Sequence, residues 1–144
     1  MKSKYLCVLA VVPIALLGFG CGGDDAPTQE EYVAQADEIC KEADEALNVV
    51  IEDTFGTRQP NQQEIISFTG DEVIPNIEGQ IGDLRALTPP EGDEETVNAI
   101  YDSLEAGIAA VADDPASSIQ EAPPEIEEAG RLAREYGMEE CGSG

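Results

Sequence analysis

Apolar residues recur every three or four positions in four separate stretches of this chain, over residues 32–50, 65–87, 97–111 and 126–136. This spacing places them on one face of an α-helix, whereas a strand would alternate apolar and polar residues at every second position. No stretch alternates for long enough to form a strand. The pattern therefore predicts an all-α fold, arranged as an up-down four-helix bundle over residues 28–144.

The ends of the predicted helices carry capping and breaking residues. Thr28 and Glu31 have the spacing of a capping box, and Asn61 and Glu64 repeat that spacing before the second stripe. Gly56 and Gly137 should end the first and last helices, as glycine tolerates the backbone conformation found after a helix. Residues 116–122 are expected to form a loop that includes at most one helical turn.

Pro75 lies inside the second apolar stripe. It has no N–H to donate to the carbonyl of Asp71, and its ring crowds that group. We therefore expect a kink or a break in the second helix at Pro75 rather than one straight rod.

The N-terminus has the organisation of an export signal. Lys2 and Lys4 precede an apolar run over residues 5–17, which is shorter than the roughly 20 residues that a membrane-spanning helix needs. This run is typical of a signal peptide, here predicted over residues 1–20. Residues 17–21 resemble a bacterial lipoprotein box, in which Cys21 is acylated and becomes the new N-terminus.

Gly18 occupies the place where that box usually carries leucine. Small residues at positions 18 and 20 would also suit an ordinary secretory peptidase, so simple secretion is the second alternative and an uncleaved anchor the third. Residues 21–27 are polar and glycine-rich, as a flexible tether to the lipid would be. The predicted location is the outer face of the cytoplasmic membrane, with the membrane reached through the lipid on Cys21.

The sequence contains four cysteines, at positions 7, 21, 40 and 141. Removal of the leader and acylation of Cys21 would leave Cys40 and Cys141 as an even pair in an oxidising compartment. Without histidine, two cysteines cannot complete the usual zinc shells, and the pair lacks the CxxC spacing of redox-active sites. We therefore favour a structural disulfide between Cys40 and Cys141 over a metal site or a redox centre.

Charge and composition exclude several functions. The chain has 31 acidic and 7 basic residues, a net charge of -24, and no histidine. Such an excess of carboxylates repels nucleic acid, so no nucleic-acid partner is expected. Catalytic triads and histidine-containing metal sites are absent, as is any glycine-rich phosphate loop. We expect no catalytic residues, no cofactor and no enzymatic activity.

The acidic clusters and three of the tyrosines could either bind a ligand or serve the structure alone. Acidic clusters at 91–95, 113–114 and 139–140 lack the spacing of a calcium loop, and we interpret them as helix caps and solvated surface without a metal site. Tyr32, Tyr101 and Tyr136 are interpreted as core residues, with a ligand groove as the alternative.

The chain resembles a group of small uncharacterised exported lipoproteins of actinobacteria. The likeness rests on Cys-Gly-Gly-Asp at 21–24, Ala-Asp-Glu-Ile-Cys at 36–40 with Tyr32 before it, Leu-Thr-Pro-Pro at 87–90, and Tyr-Gly-Met-Glu-Glu-Cys-Gly at 136–142. It implies an exported helical domain in which Cys40 and Cys141 are joined, and it implies no activity.

The sequence thus predicts a non-enzymatic, lipid-anchored envelope protein that acts through its surface on another envelope protein. The alternative is a module that binds a small molecule or a cation in a cleft between helices near Pro75. A binding module requires a concave apolar pocket with a few polar groups, whereas an interaction protein requires an exposed apolar or charged patch.

Overall fold

The computed structural model describes residues 26–143. The predicted signal peptide over residues 1–20, the lipidation of Cys21 and all of the tether before Ala26 lie outside the described residues. Within residues 26–143 the secondary structure consists of helices and turns, without a strand. The predicted all-α fold class is therefore confirmed for this part of the chain.

The helices follow one another closely along the chain. Their bounds are α1 (Gln29–Phe55), α2 (Gln62–Phe68), a π-helical turn (Thr69–Val73), α3 (Ile74–Ala86), α4 (Glu94–Asp113), the short α5 (Pro115–Ser118) and α6 (Pro124–Tyr136). Helix α5 lies in the segment that was expected to be a loop with at most one helical turn, and it starts one residue earlier than that loop.

The predicted caps are confirmed. The Thr28 hydroxyl accepts from the Glu31 N–H at 3.2 Å, and the Glu31 carboxylate accepts from the Thr28 N–H at 3.0 Å. Asn61 forms the same reciprocal pair at the start of α2. Gly137 ends α6 with φ 108°, a left-handed conformation that a side chain would disfavour.

Around Pro75 the chain stays helical from α2 through the π-helical turn into α3. The N–H of Ile74 donates to the carbonyl of Thr69, five residues earlier, which is the hydrogen bond that defines a π-helix. Pro75 follows directly, at the start of α3. The wider turn thus lies where the proline ring and its missing N–H would disturb an α-helix.

The helices pack in chain order. Helix α1 contacts α3, α3 contacts α4, and α4 contacts α6. The α4–α6 contact is very close at Gly107, where an added Cβ would come within 3.0 Å of the Ile126 nitrogen. The central core contains Tyr32, Ala36, Cys40, Leu84, Val97, Ile100, Tyr101, Ala133, Tyr136 and Met138.

Candidate functional site

The cysteine pair joins α1 to the C-terminal tail. The Sγ atoms of Cys40 and Cys141 lie 2.02 Å apart and their Cα atoms 5.1 Å apart, so the two residues form a disulfide bond. Cys40 is buried about three turns into α1, and Cys141 follows the end of α6. The bond therefore closes the side of the domain where the first and last helices meet.

Hydrogen bonds and burial also hold the tail beside α1. The Asp37 carboxylate accepts the backbone N–H groups of Glu139, Glu140 and Cys141 at 3.2, 3.1 and 3.3 Å. Met138 is completely buried in the core. Asp37 thus acts as the cap of the tail turn, so the disulfide is one of several contacts that keep the tail in place.

An apolar cavity of about 160 Å³ lies next to this disulfide. Helices α1, α3, α4 and α6 and the C-terminal tail all contribute to its wall. The apolar lining consists of Leu47, Ile77, Leu84, Ile100, Leu104, Ile108, Ile126, Ala129, Ala133 and Met138, together with Cys40 and Cys141. The cavity therefore forms where four helices meet and not within a single loop.

Small residues on α6 explain why this space is unfilled. Ala129, Gly130 and Ala133 line the cavity on the side of α6, where a larger side chain would extend into the centre. Leu47 and Ile126 are only partly buried, so the apolar lining continues to the surface.

Polar groups occur only at the edge of the cavity. They are Asp44 on α1, Asn76 and Gln80 on α3, and Glu140 in the tail, besides the hydroxyl-bearing Tyr101. The side-chain amide of Asn76 donates to the carbonyl of Ala43 at 3.2 Å, which fixes α3 against α1. No lysine or arginine is among the described residues that line this cavity.

The predicted tyrosine core is present, and one of its members reaches the cavity. The hydroxyls of Tyr32 and Tyr101 lie 2.6 Å apart and share a hydrogen bond, and Tyr136 donates to Asp93 at 2.7 Å. Burial raises the pKa of the Tyr32 and Tyr101 hydroxyls above the usual value. Tyr101 is both a buried core residue and a residue that lines the cavity.

The acidic clusters lie at helix ends and in turns. Asp114 accepts from the Ser117 N–H at 3.0 Å at the start of α5, and Glu94 accepts from the Gly92 N–H at 3.0 Å before α4. Among residues 26–143, no group of three or more possible metal ligands is close enough to hold an ion. Likewise, no helix in that range combines the length and apolar character needed to cross a membrane.

A second cleft, of about 380 Å³, lies between α3 and α4. Its single cation, Arg85, already donates to Glu105 at 2.8 Å and to Asp102 at 2.7 Å. These ion pairs already use donors of the Arg85 guanidinium, so this cleft offers a ligand fewer free polar groups, and it has fewer apolar lining residues than the apolar cavity. We therefore take the apolar cavity as the candidate functional site.

Comparison with protein-family models, curated proteins and solved structures finds no match to this chain. Sequence reasoning anticipated a cleft near Pro75 but did not name the residues of its wall. The available signal was the run of small residues at positions 129, 130 and 133 on the inward face of the last helix.

Proposed function

We propose that this protein is a non-enzymatic lipoprotein that binds a small, mainly apolar ligand in the cavity between its helices. The lipid on Cys21 would hold it at the outer face of the cytoplasmic membrane. The observation that carries the proposal is the apolar cavity of about 160 Å³ at the junction of α1, α3, α4 and α6. It favours the ligand-binding alternative over action through the surface alone.

The size and lining of the cavity suit an apolar molecule of about one ring. Apolar cavities of about 150 Å³ stay free of water and bind molecules such as benzene. The apolar side chains that line this space lack packing contacts on the side that faces it. A ligand that fills the space restores the missing contacts, and this gain supplies affinity.

We also propose that the helices form an up-down four-helix bundle with a kink at Pro75. The packing of α1 on α3, α3 on α4 and α4 on α6 supports an up-down four-helix order. The π-helical turn directly before Pro75 supports a local change of helix direction there. Such a change would turn Asn76 and Ile77, which directly follow Pro75, toward the cavity that they line.

A surface-binding role in the cell envelope is the second candidate. The net charge of -24 favours it, because such a surface attracts basic partners. The exposed large apolar side chains among the described residues are few: Val49, Ile51 and Ile119. An interaction protein normally presents a larger apolar patch, so we place this role second.

The cavity proposal is tested by titrating benzene into the isotope-labelled full chain and following the protein signals by NMR. Benzene should shift signals from residues that line the cavity. The variant Ala129→Leu adds three carbons to the cavity wall and should abolish these shifts. Ala106→Leu, an exposed position on α4 outside the cavity, is the matched control and should leave them unchanged. The proposal would be contradicted if benzene causes no shifts in the wild-type protein, or if the shifts persist in the Ala129→Leu variant.

The anchor is tested separately, by mass spectrometry of the mature N-terminus and by fractionation of cells. We expect a mature chain that begins with acylated Cys21 in the membrane fraction. The variant Cys21→Ala should be lost from that fraction or remain unprocessed. An unmodified N-terminus recovered from the medium would instead support simple secretion.

A further inference from the structure

We infer that the ligand of the inter-helix cavity is a small amphiphilic cation, namely an apolar group of about one ring that carries an ammonium group. This inference rests on the proposed function and adds the chemical class of the ligand. It follows from the juxtaposition of an apolar wall with unpaired carboxylates at its edge.

The apolar part of the cavity limits the size of the ligand body. Leu104 and Ile108 on α4 and Ile126 on α6 line it together with Ile77 on α3. A volume of about 160 Å³ accommodates one aromatic ring or a short branched alkyl group. The part of the ligand that enters the cavity is therefore small.

The edge of the cavity offers hydrogen-bond acceptors that the protein does not use. Asp44 and Glu140 are exposed, and among residues 26–143 neither carboxylate accepts a hydrogen bond or pairs with a cationic side chain. The amide of Asn76 uses its nitrogen on Ala43, which leaves its oxygen as an acceptor. A primary ammonium group has three donors and no acceptor, and so it matches this set of groups.

Both carboxylates belong to residues that line the cavity near the disulfide. Asp44 is one helical turn beyond Cys40, on the same face of α1. Glu140 immediately precedes Cys141, whose Cα lies 5.1 Å from that of Cys40. The disulfide therefore places two acidic residues that are far apart in the sequence on the lining of one cavity.

Anionic apolar molecules do not fit this arrangement. The cavity edge carries two negative charges, and the described residues of its lining contain no cation to offset them. A carboxylate or phosphate would be repelled there and would also approach a protein with a net charge of -24. A neutral molecule would gain the apolar contacts but would leave the acceptors to water.

The experiment compares three probes of similar size on the full chain: phenethylamine (a cation), phenethyl alcohol (neutral) and hydrocinnamate (an anion). Dissociation constants are measured by NMR titration at low salt. We expect affinity to fall in that order, with about two- to fivefold tighter binding of the amine for each carboxylate that it contacts. Added salt should reduce the preference for the amine, because these charges are exposed.

Two variants locate the origin of the preference. The double variant Asp44→Asn and Glu140→Gln should bind the amine no more tightly than the alcohol, and its affinity for the alcohol should be unchanged. Glu38→Gln, which removes an exposed carboxylate of α1 that does not line the cavity, should retain the preference. Since all three positions are exposed, the variants should fold.

The outcomes separate this inference from the proposed function. If wild type binds the alcohol and the amine equally, the ligand class is wrong and the cavity proposal stands. If the double variant keeps the full preference, the general charge of the protein causes it and the inference is also wrong. If no probe binds, both are wrong.

Discussion

Removal of the disulfide should cost the domain much of its stability. The simplest perturbation is the double variant Cys40→Ala and Cys141→Ala, which also avoids the free thiols that chemical reduction leaves. The bond links residues that are 101 positions apart. In the folded protein the tail keeps its other contacts, so the main effect is on the unfolded chain, which gains the freedom that the bond removes.

The magnitude follows from the length of the closed loop. For a loop of 101 residues the chain-entropy relation gives about 4.7 kcal/mol at 25 °C. Native disulfides commonly deliver about 2–4 kcal/mol, so the expected loss lies in or slightly above that range. Domains of this size have a free energy of unfolding of about 5–15 kcal/mol, which means that the variant should fold but be marginal.

The measurement is urea unfolding of wild type and variant, followed by circular dichroism. The midpoint should fall, and the slope should rise because the unlinked unfolded chain exposes more surface. Asp37→Asn with the disulfide intact is the control, because it weakens the hydrogen bonds of the tail without lengthening the unfolded chain. A loss below about 1 kcal/mol in the double variant would refute the loop-entropy argument.

The remaining predictions concern packing and pH. Gly107→Ala should destabilise the domain by about 1–3 kcal/mol, because the new Cβ would press on Ile126. A Cβ added at Gly82 would meet no atom within 4 Å, so Gly82→Ala should stabilise α3 by about 0.5–1 kcal/mol. Burial raises the pKa of Tyr32 and Tyr101 above 10.0, so the folded state retains protons that the unfolded state loses. Stability should be intact below about pH 10 and decline above it. Phenolate absorbance should show that these two tyrosines ionise at a higher pH in the folded chain than in the unfolded chain.

Local features of the fold could be predicted from the sequence, because they depend on residues close together in the chain. The capping boxes at Thr28 and Asn61 and the glycine stop at Gly137 need only a few neighbouring positions. The disulfide followed from the number of cysteines and the expected compartment. For each of these features one rule about the residue types and their spacing predicts the structure, and no other interaction of the chain opposes it.

The cavity could not be predicted in the same way, because its wall joins residues that are up to 101 positions apart. The sequence showed that Ala129 and Ala133 face inward, but not whether a larger side chain from another helix fills the space. Similarly, nothing local indicated that Asp37 would bind the backbone of the tail. Such contacts depend on how whole helices pack.

The Gln29 side chain donates to the Tyr136 carbonyl at 2.8 Å, which places the beginning of α1 beside the end of α6. Helix α1 has 27 residues and is about 40 Å long, so the turn at residues 56–61 lies far from that end. With a lipid on Cys21, this turn would lie on the far side of the domain from the bilayer. A fluorophore or epitope meant to be reached from outside the cell therefore belongs in the turn at residues 56–61.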